Sequence, residues 1–316
     1  MARMFTIKRP ISRYGNLKHV VHRSRALGIN KSFYVHLPAA VSSGAGSTLD
    51  RERYPVLYVF RGHQREWVNP KQDGSRNGRT IIDAYEELLE SGAMGPMVLV
   101  FPGIASDDNA VSGALVNLRE PERVSHHRGI GTGRFEDYLL EDLMPLVEAD
   151  YPVLPGAAHR GVDGFSLGGF MAVKIALGHP QMFSSVGAYD GLYFYGRSTA
   201  TDRALQNPLF DAVFGLPRDM AHLARNNPVH LLQKVPPWDL SRMRWFIEYG
   251  PESSEPNDSN FYRGRDLVRQ LSRRWIANDG GVVPVGHHDW ATADRHLART
   301  LPKHWEVLKA RRRDQA

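Results

Sequence analysis

The sequence predicts an α/β fold, in which a mostly parallel central sheet is covered by helices on both faces. Continuous apolar runs, typical of strands buried in a parallel sheet, alternate along the chain with stretches of helical spacing. A glycine-flanked serine, Ser166, lies between an apolar run and a helix-prone run, as at a sharp strand-to-helix turn. A chain of 316 residues can bury a large core and no linker divides it, so we expect a single domain over residues 1–316.

The first two strands are predicted to pair antiparallel. Residues 17–22 and 31–37 are rich in β-branched and aromatic side chains, and a short segment separates them. The Gly/Ser stretch at residues 42–48 predicts a surface loop. The apolar run at residues 54–60 then predicts the first buried strand of the parallel part of the sheet.

Strands and helices alternate through the rest of the chain. Further strands are predicted directly before Ser166 and at residues 97–101, 183–189, 244–249 and 282–285, with helices at residues 80–90, 135–149, 171–177, 261–275 and 291–308. Residues 192–239 hold prolines and aromatics without a clean period, which indicates an irregular insertion that shapes the pocket. The loops after the parallel strands should meet at one edge of the sheet, where ligands bind in such folds.

The composition excludes several kinds of site and partner. The chain has no cysteine, so disulfides, thiolate metal sites and cysteine nucleophiles are excluded. The net charge of +6 comes mainly from arginines that are scattered, except at residues 311–313, without the basic stripe of a nucleic-acid-binding protein. The start of the chain lacks the apolar segment of a signal peptide, and no stretch is long and apolar enough to cross a bilayer. We expect a soluble, cytoplasmic protein without nucleic-acid or membrane partners.

A nucleophile-elbow pattern, Gly-x-Ser-x-Gly, is formed by residues 164–168. Small neighbours permit the strained turn that lifts the serine hydroxyl clear of the sheet, so Ser166 is the predicted nucleophile. The following helix directs its first N–H groups toward the position of an oxyanion, and the N–H of Leu167 is the predicted first donor. The second donor is expected after the strand at residues 54–60, where Gly62 lets the backbone approach and presents the N–H of His63.

The general base is sought among the histidines that follow Ser166, since a serine hydroxyl needs a base and the base needs an orienting acid. His287 and His288 stand in a loop after the predicted strand at residues 282–285. We predict His288 as the base, with His287 as the alternative, and we expect His304 to be a surface or packing residue. Adjacent loop histidines point in different directions and no known ligand spacing is present, so no metal site is predicted.

The orienting acid is expected on the loop at residues 250–260, because the chain order in elbow enzymes is serine, acid, histidine. Three carboxylates compete there: Glu252, Glu255 and Asp258. We predict Asp258, which stands closest to the next helix and would be anchored by it. The two glutamates stay alternatives, because a longer side chain could reach the histidine from the first half of the loop.

The chain resembles the esterase group of the α/β-hydrolases, which includes S-formylglutathione hydrolases, feruloyl and acetylxylan esterases, enterochelin esterases and mycolyltransferases. The matching segments are residues 33–38, 54–62, 135–139, 164–169, 179–180, 227–228 and 288–290, which span most of the chain. The resemblance implies an α/β-hydrolase fold. It also supports His288, because the catalytic histidine of the group stands two residues before an aromatic residue, here Trp290. Where many members have His-Gly or Ser-Gly, this chain has Arg61 before the glycine, and the arginine could contact an acidic or polar group of the substrate.

The predicted function is hydrolysis of a small-molecule carboxylic ester through an acyl-enzyme on Ser166, without a cofactor. One alternative is an acyltransferase that passes the same acyl group to an alcohol. Another is a non-catalytic binding protein on a hydrolase scaffold, and the intact serine and histidine motifs weigh against it.

Overall fold

The computed structural model describes residues 6–8, 15–38, 52–194 and 202–309. The Gly/Ser stretch at residues 42–48 and the arginines at residues 311–313 lie outside the described residues, as do residues 195–201 of the expected insertion. The described strands are β1 (Thr6–Lys8), β2 (Leu17–Arg23), β3 (Asn30–His36), β4 (Val56–Phe60), β5 (Val98–Pro102), β6 (Arg160–Gly164), β7 (Ser185–Tyr189) and β8 (Arg244–Glu248).

These strands form one mixed sheet in the spatial order β1-β2-β3-β5-β4-β6-β7-β8. The strands β1, β2, β3 and β5 pair antiparallel in that order, whereas β5, β4, β6, β7 and β8 are parallel. The predicted parallel sheet with an antiparallel N-terminal pair is confirmed, and β1 adds an edge strand that the sequence did not predict. Because β6 lies between β4 and β7, the loops that follow these three strands meet at the carboxyl edge of the sheet.

Helices cover both faces of this sheet. They are α1 (Ile81–Glu90), α2 (Phe135–Asp137, continued by the π-helical Tyr138–Leu143 and by Met144–Asp150), α3 (Leu167–Gly178), α4 (Asp211–Phe214), α5 (Met220–Asn226), α6 (Pro228–Lys234), α7 (Pro237–Leu240), α8 (Phe261–Arg273) and α9 (Trp290–Leu308). One apolar core contains α3 and α2, and a second core on the other face contains α1 and α9. The helix α3 is buried on all sides except at its end, which explains why it is apolar all round rather than amphipathic.

The predicted strand at residues 282–285 is wrong. Only Val282 pairs, through a single parallel bridge to Tyr249 at the end of β8. The chain then turns, since the N–H of Gly286 donates to the carbonyl of Val283, and the side chain of Val285 is exposed. Pro284 has no N–H with which to continue a ladder, so an apolar run of four residues becomes a loop.

The insertion expected at residues 192–239 is built, in its described part, from short helices and turns. The ring of Phe194 packs edge to face on the rings of Phe210 and Phe214, and all three join the core that contains α3. The sequence lacks a clean period here because its helices are short, and several of them begin with a proline, such as Pro228 in α6. A role of this segment in shaping the pocket stays a prediction.

Candidate active site

Ser166 occupies the turn between β6 and α3 in a strained backbone conformation, with φ of 57° and ψ of −116°. Two glycines make this turn possible. A Cβ atom at Gly164 would lie 2.3 Å from the carbonyl oxygen of Gly168, and one at Gly168 would lie 1.9 Å from the carbonyl oxygen of Phe60. Real Cβ atoms do not approach backbone oxygens so closely, so only glycine fits at either position. The elbow geometry therefore follows from the sequence pattern.

A hydrogen-bonded chain links Ser166, His288 and Asp190. The Nε2 atom of His288 lies 2.9 Å from Oγ of Ser166, and its Nδ1 atom lies 2.5 Å from Oδ2 of Asp190. Asp190 is fully buried, whereas Ser166 keeps a small exposed fraction of 8% and His288 is partly exposed. A hydroxyl, an imidazole and a carboxylate thus stand in line, in the order that a nucleophile, a base and an orienting acid would need, with the hydroxyl at the open end.

The carboxylate of Asp190 is held by the backbone of the loop after β8. Its Oδ1 atom accepts hydrogen bonds from the N–H of Gly250, at 3.0 Å, and from the N–H of Asn260, at 2.9 Å. The side-chain amide of Asn260 donates in turn to the carbonyl oxygen of Asp190. These contacts aim Oδ2 at His288 and compensate the burial of a carboxylate.

Asp258, the acid predicted from the sequence, does not face the ring of His288, and Asp190 takes that place. Asp258 accepts hydrogen bonds from the backbone N–H of His288, at 2.8 Å, and pairs with Nδ1 of His287 at 2.6 Å. Glu255 instead accepts the N–H of Tyr262, and Glu252 accepts its hydroxyl. The correction has a topological cause: β7 is the direct neighbour of β6, so its end lies nearer Ser166 than the loop after β8.

A sequence signal for Asp190 exists, because it ends the predicted strand at residues 183–189 and is followed by a glycine. Its chain order, after the serine and before the histidine, also fits the elbow enzymes. The backbone of Asp190 has φ of 49°, which aspartate tolerates better than most residues. The sequence prediction thus missed Asp190, although an aspartate directly after a buried parallel strand is a valid candidate for the acid.

His287 and Asp258 form a second aspartate–histidine pair outside the first. Their side chains are 57% and 44% exposed, so water screens the pair. The hydrogen bond that His287 donates to Asp258 raises the pKa of His287. Partial burial opposes the charge of Asp258, but the same hydrogen bond prevails and lowers the pKa of this carboxyl group. Asp258 stabilises the loop that carries His288, because it binds the side chain of His287 and the backbone N–H of His288, and both residues lie on that loop.

The two predicted oxyanion donors differ in their contacts. Within the described part of the chain, the N–H of Leu167 donates to no acceptor, as expected for a group directed at a substrate. The N–H of His63 instead donates to Oε1 of Glu66 at 2.7 Å. The Nδ1 atom of the His63 ring accepts the N–H of Arg65, and burial lowers the pKa of the ring to about 4.

His304 packs inside the protein rather than at the surface. Its Nδ1 atom lies 2.6 Å from Oγ of Ser185, and its Nε2 atom lies 3.0 Å from Oδ2 of Asp163. Among the described residues, no cluster of histidine and carboxylate side chains is arranged to hold a metal ion. No helix in the described ranges has the length and apolar character needed to cross a membrane.

The chain was compared with known proteins. It is 26% identical over 175 residues to "Uncharacterized protein YbbA" of Bacillus subtilis, a match that covers 54% of this chain and 61% of the relative. A solved ferulic acid esterase superposes with a TM-score of 0.70 at 19% identity, over 92% of this chain and 98% of that one. An S-formylglutathione hydrolase from Agrobacterium tumefaciens gives 0.63 at 19% identity, over 96% and 98% of the two chains. At these identities the solved structures show the α/β-hydrolase fold alone.

The chain spans between 22% and 61% of the length of the first curated relatives that it matches. The match to a family model covers more of this chain. Residues 24–304 match the Esterase family, which is described as "Putative esterase". This match begins directly after β2, ends within α9 and includes Ser166, Asp190 and His288. The chain therefore belongs to the Esterase family.

Proposed function

We propose that this protein is a serine hydrolase that cleaves carboxylic esters through an acyl-enzyme on Ser166. The observation that carries the proposal is the chain of two short contacts, from Oγ of Ser166 to Nε2 of His288 and from Nδ1 of His288 to Oδ2 of Asp190. Membership of the Esterase family supports the same reaction class. The strained elbow adds to this support, since strain of this kind is characteristic of functional residues.

The first half of the reaction forms the acyl-enzyme. The Oγ atom of Ser166 attacks the ester carbonyl carbon while Nε2 of His288 takes the hydroxyl proton. Asp190 keeps the proton of His288 on Nδ1 and stabilises the imidazolium that forms. The N–H of Leu167 donates to the oxyanion of the tetrahedral intermediate. The C–O bond then breaks, and the alcohol leaves with the proton from His288.

The second half returns the enzyme to its starting state. A water molecule attacks the acyl carbon, and His288 accepts one of its protons. The second tetrahedral intermediate collapses, the acid leaves, and Ser166 regains its proton from His288. An alcohol in place of water would give acyl transfer with the same residues, so the acceptor alone separates the two reactions.

The N–H of His63 is proposed as the second oxyanion donor. In the free protein this N–H already binds the carboxylate of Glu66, which is itself an oxygen anion. A backbone N–H has one hydrogen to donate, so Glu66 must release or share it when the oxyanion forms. The carboxylate of Glu66 therefore competes with the oxyanion of the transition state for the N–H of His63.

A fluorophosphonate probe and a short aryl ester test the proposal together. The wild-type protein should be labelled at Ser166 and should hydrolyse the ester, with and without an alcohol acceptor in the assay. Ser166→Ala should lose the label and lower kcat by several orders of magnitude, whereas Ser125→Ala, at an exposed site, should change neither. Wild-type turnover in Ser166→Ala would contradict the proposal. Faster release of the leaving group with the alcohol, together with ester product, would reassign the activity to acyl transfer.

A further inference from the structure

Arg61 follows β4 directly and lies beside the elbow. A Cβ atom at Gly168 would lie 3.0 Å from the Cα atom of Arg61, so the two segments are in contact. The guanidinium of Arg61 lies over the rings of Phe165, at 5.2 Å, and of Trp290, at 5.8 Å. Phe165 directly precedes Ser166, and Trp290 follows His288 by two positions. The cation therefore lies next to the segments that carry the nucleophile and the base.

A second arginine near Trp290, Arg76, provides a comparison. Its guanidinium lies 4.3 Å from the ring of Trp290 and is buried. Every nitrogen of this group donates a hydrogen bond: two bonds go to the carboxylate of Asp294 and three to the backbone carbonyls of Glu66, Trp67 and Asn69. Arg76 is therefore a structural residue with no donor left for a ligand.

Arg61 differs from Arg76 in its hydrogen bonds. Its Nε atom is buried without a hydrogen-bond partner, and within the described ranges its other nitrogens donate no hydrogen bond to the protein. The side chain is 23% exposed, so part of it is accessible to solvent. A guanidinium carries five donors in a planar fork and stays protonated, and burying it without hydrogen bonds is costly unless a ligand supplies them.

The acidic neighbour of Arg61 is Glu66, and it does not satisfy the hydrogen-bond donors of the guanidinium. Oε2 of Glu66 lies 3.6 Å from Nε of Arg61, beyond hydrogen-bond distance, and Oε1 of Glu66 is occupied by the N–H of His63. Burial lowers the pKa of Arg61, and the charge of Glu66 offsets this only in part. The fork thus faces a loosely held counter-ion, which a carboxylate with bidentate geometry could outcompete.

We propose that Arg61 binds an anionic group of the substrate, so that the enzyme prefers esters that carry a carboxylate near the scissile bond. This inference rests on the proposed ester hydrolysis and adds the substrate class. The guanidinium packs over two aromatic rings, and a guanidinium pre-organised in this way favours recognition of a planar carboxylate. Esters that are neutral at this position would leave the fork without its hydrogen bonds.

Two matched pairs of aryl esters test the inference. In one pair the acyl chain ends in a methyl or in a carboxylate, and in the other the alcohol part carries a methyl ester or a free carboxylate. The readout is the ratio of kcat/KM between the anionic and the neutral member, measured on one preparation, so that any misfolded fraction cancels. The wild type should prefer the anionic member of at least one pair by about tenfold or more, as expected for a charged hydrogen bond.

The variants separate Arg61 from general electrostatics. Arg61→Met should reduce the ratio to near one, and Arg61→Lys should restore part of it. Arg65→Met removes an exposed charge from the same loop and should keep the wild-type ratio. A wild-type ratio near one in both pairs, a ratio that survives Arg61→Met, or an equal loss in Arg65→Met would overturn the inference. Hydrolysis of no ester at all would instead contradict the proposed function.

Discussion

Asp190 and His288 lie in hydrogen-bond contact across the carboxyl edge of the sheet, with 2.5 Å between Oδ2 and Nδ1. This contact distinguishes Asp190 from Asp258, which binds the backbone of His288. We predict that Asp190→Asn lowers kcat by about a hundredfold to ten-thousandfold, because the amide no longer holds the correct tautomer. Steady-state kinetics with an aryl ester measure this loss.

Asp258→Asn is the matched control for Asp190→Asn. An amide oxygen at position 258 can still accept the N–H of His288, so we expect a loss of less than about tenfold. Both variants should keep the circular dichroism of the wild type. If Asp258→Asn were the more damaging change, the acid would have to be reassigned to Asp258.

Glu66→Gln should raise kcat several-fold on neutral esters. The neutral amide still accepts the N–H of His63 but competes less strongly with a developing oxyanion than the carboxylate does. A boronic acid that mimics the tetrahedral intermediate should bind the variant more tightly. Glu87→Gln, at an exposed position, serves as the control. A decrease in kcat together with weaker boronate binding would show that Glu66 supports the loop instead of restraining it.

Gly168→Ala and Gly178→Ala differ in their surroundings although both lie in α3. A Cβ atom at position 168 would lie 1.9 Å from the carbonyl oxygen of Phe60, whereas one at position 178 would meet nothing within 4 Å. We expect Gly168→Ala to abolish activity and to lower Tm strongly. Gly178→Ala should keep activity and be neutral or stabilising by up to about 1 kcal/mol. Thermal unfolding of both variants decides between these outcomes, and equal Tm values would refute the steric argument.

A buried histidine makes stability depend on alkaline pH. His296 lies between Asp163, at 3.1 Å, and Glu248, at 2.8 Å. Burial opposes its charge, but the two carboxylates prevail and raise the pKa of His296 to about 9. The folded pKa exceeds the unfolded value of about 6.5, so this stabilisation is complete below pH 6.5 and is lost as pH rises through about 9.

Thermal unfolding of the wild type between pH 6 and pH 10 should therefore show a falling Tm, with most of the loss between about pH 7 and pH 9. His296→Gln should unfold at a lower temperature and should lack this part of the pH dependence. Its exposed neighbour Arg295→Gln keeps the network and controls for the loss of a charge. A wild-type Tm that stays level across this range would show that His296 is neutral in the folded protein.

The alternation of strands and helices and the positions of Ser166 and His288 follow from the sequence alone. Each depends on short-range physics: apolar periodicity selects the element type, and the steric exclusion at Gly164, where a Cβ atom would meet the carbonyl oxygen of Gly168, acts within the elbow itself. These constraints act within a few residues, so a linear pattern contains them.

Only the tertiary structure decided which carboxylate faces His288, which acceptor the N–H of His63 binds, and that residues 282–285 form a loop. Asp190 faces His288 because β7 pairs with β6, and Glu66 reaches the N–H of His63 through the path of a loop. Among the described residues, Nε of Arg61 likewise lacks a hydrogen-bond partner, because Oε2 of Glu66 stays 3.6 Å away while Oε1 binds the N–H of His63. Such contacts depend on which elements become neighbours and at what distance. From the sequence alone, several carboxylates are equal candidates for the acid, because only the packing of the sheet brings one of them to the histidine.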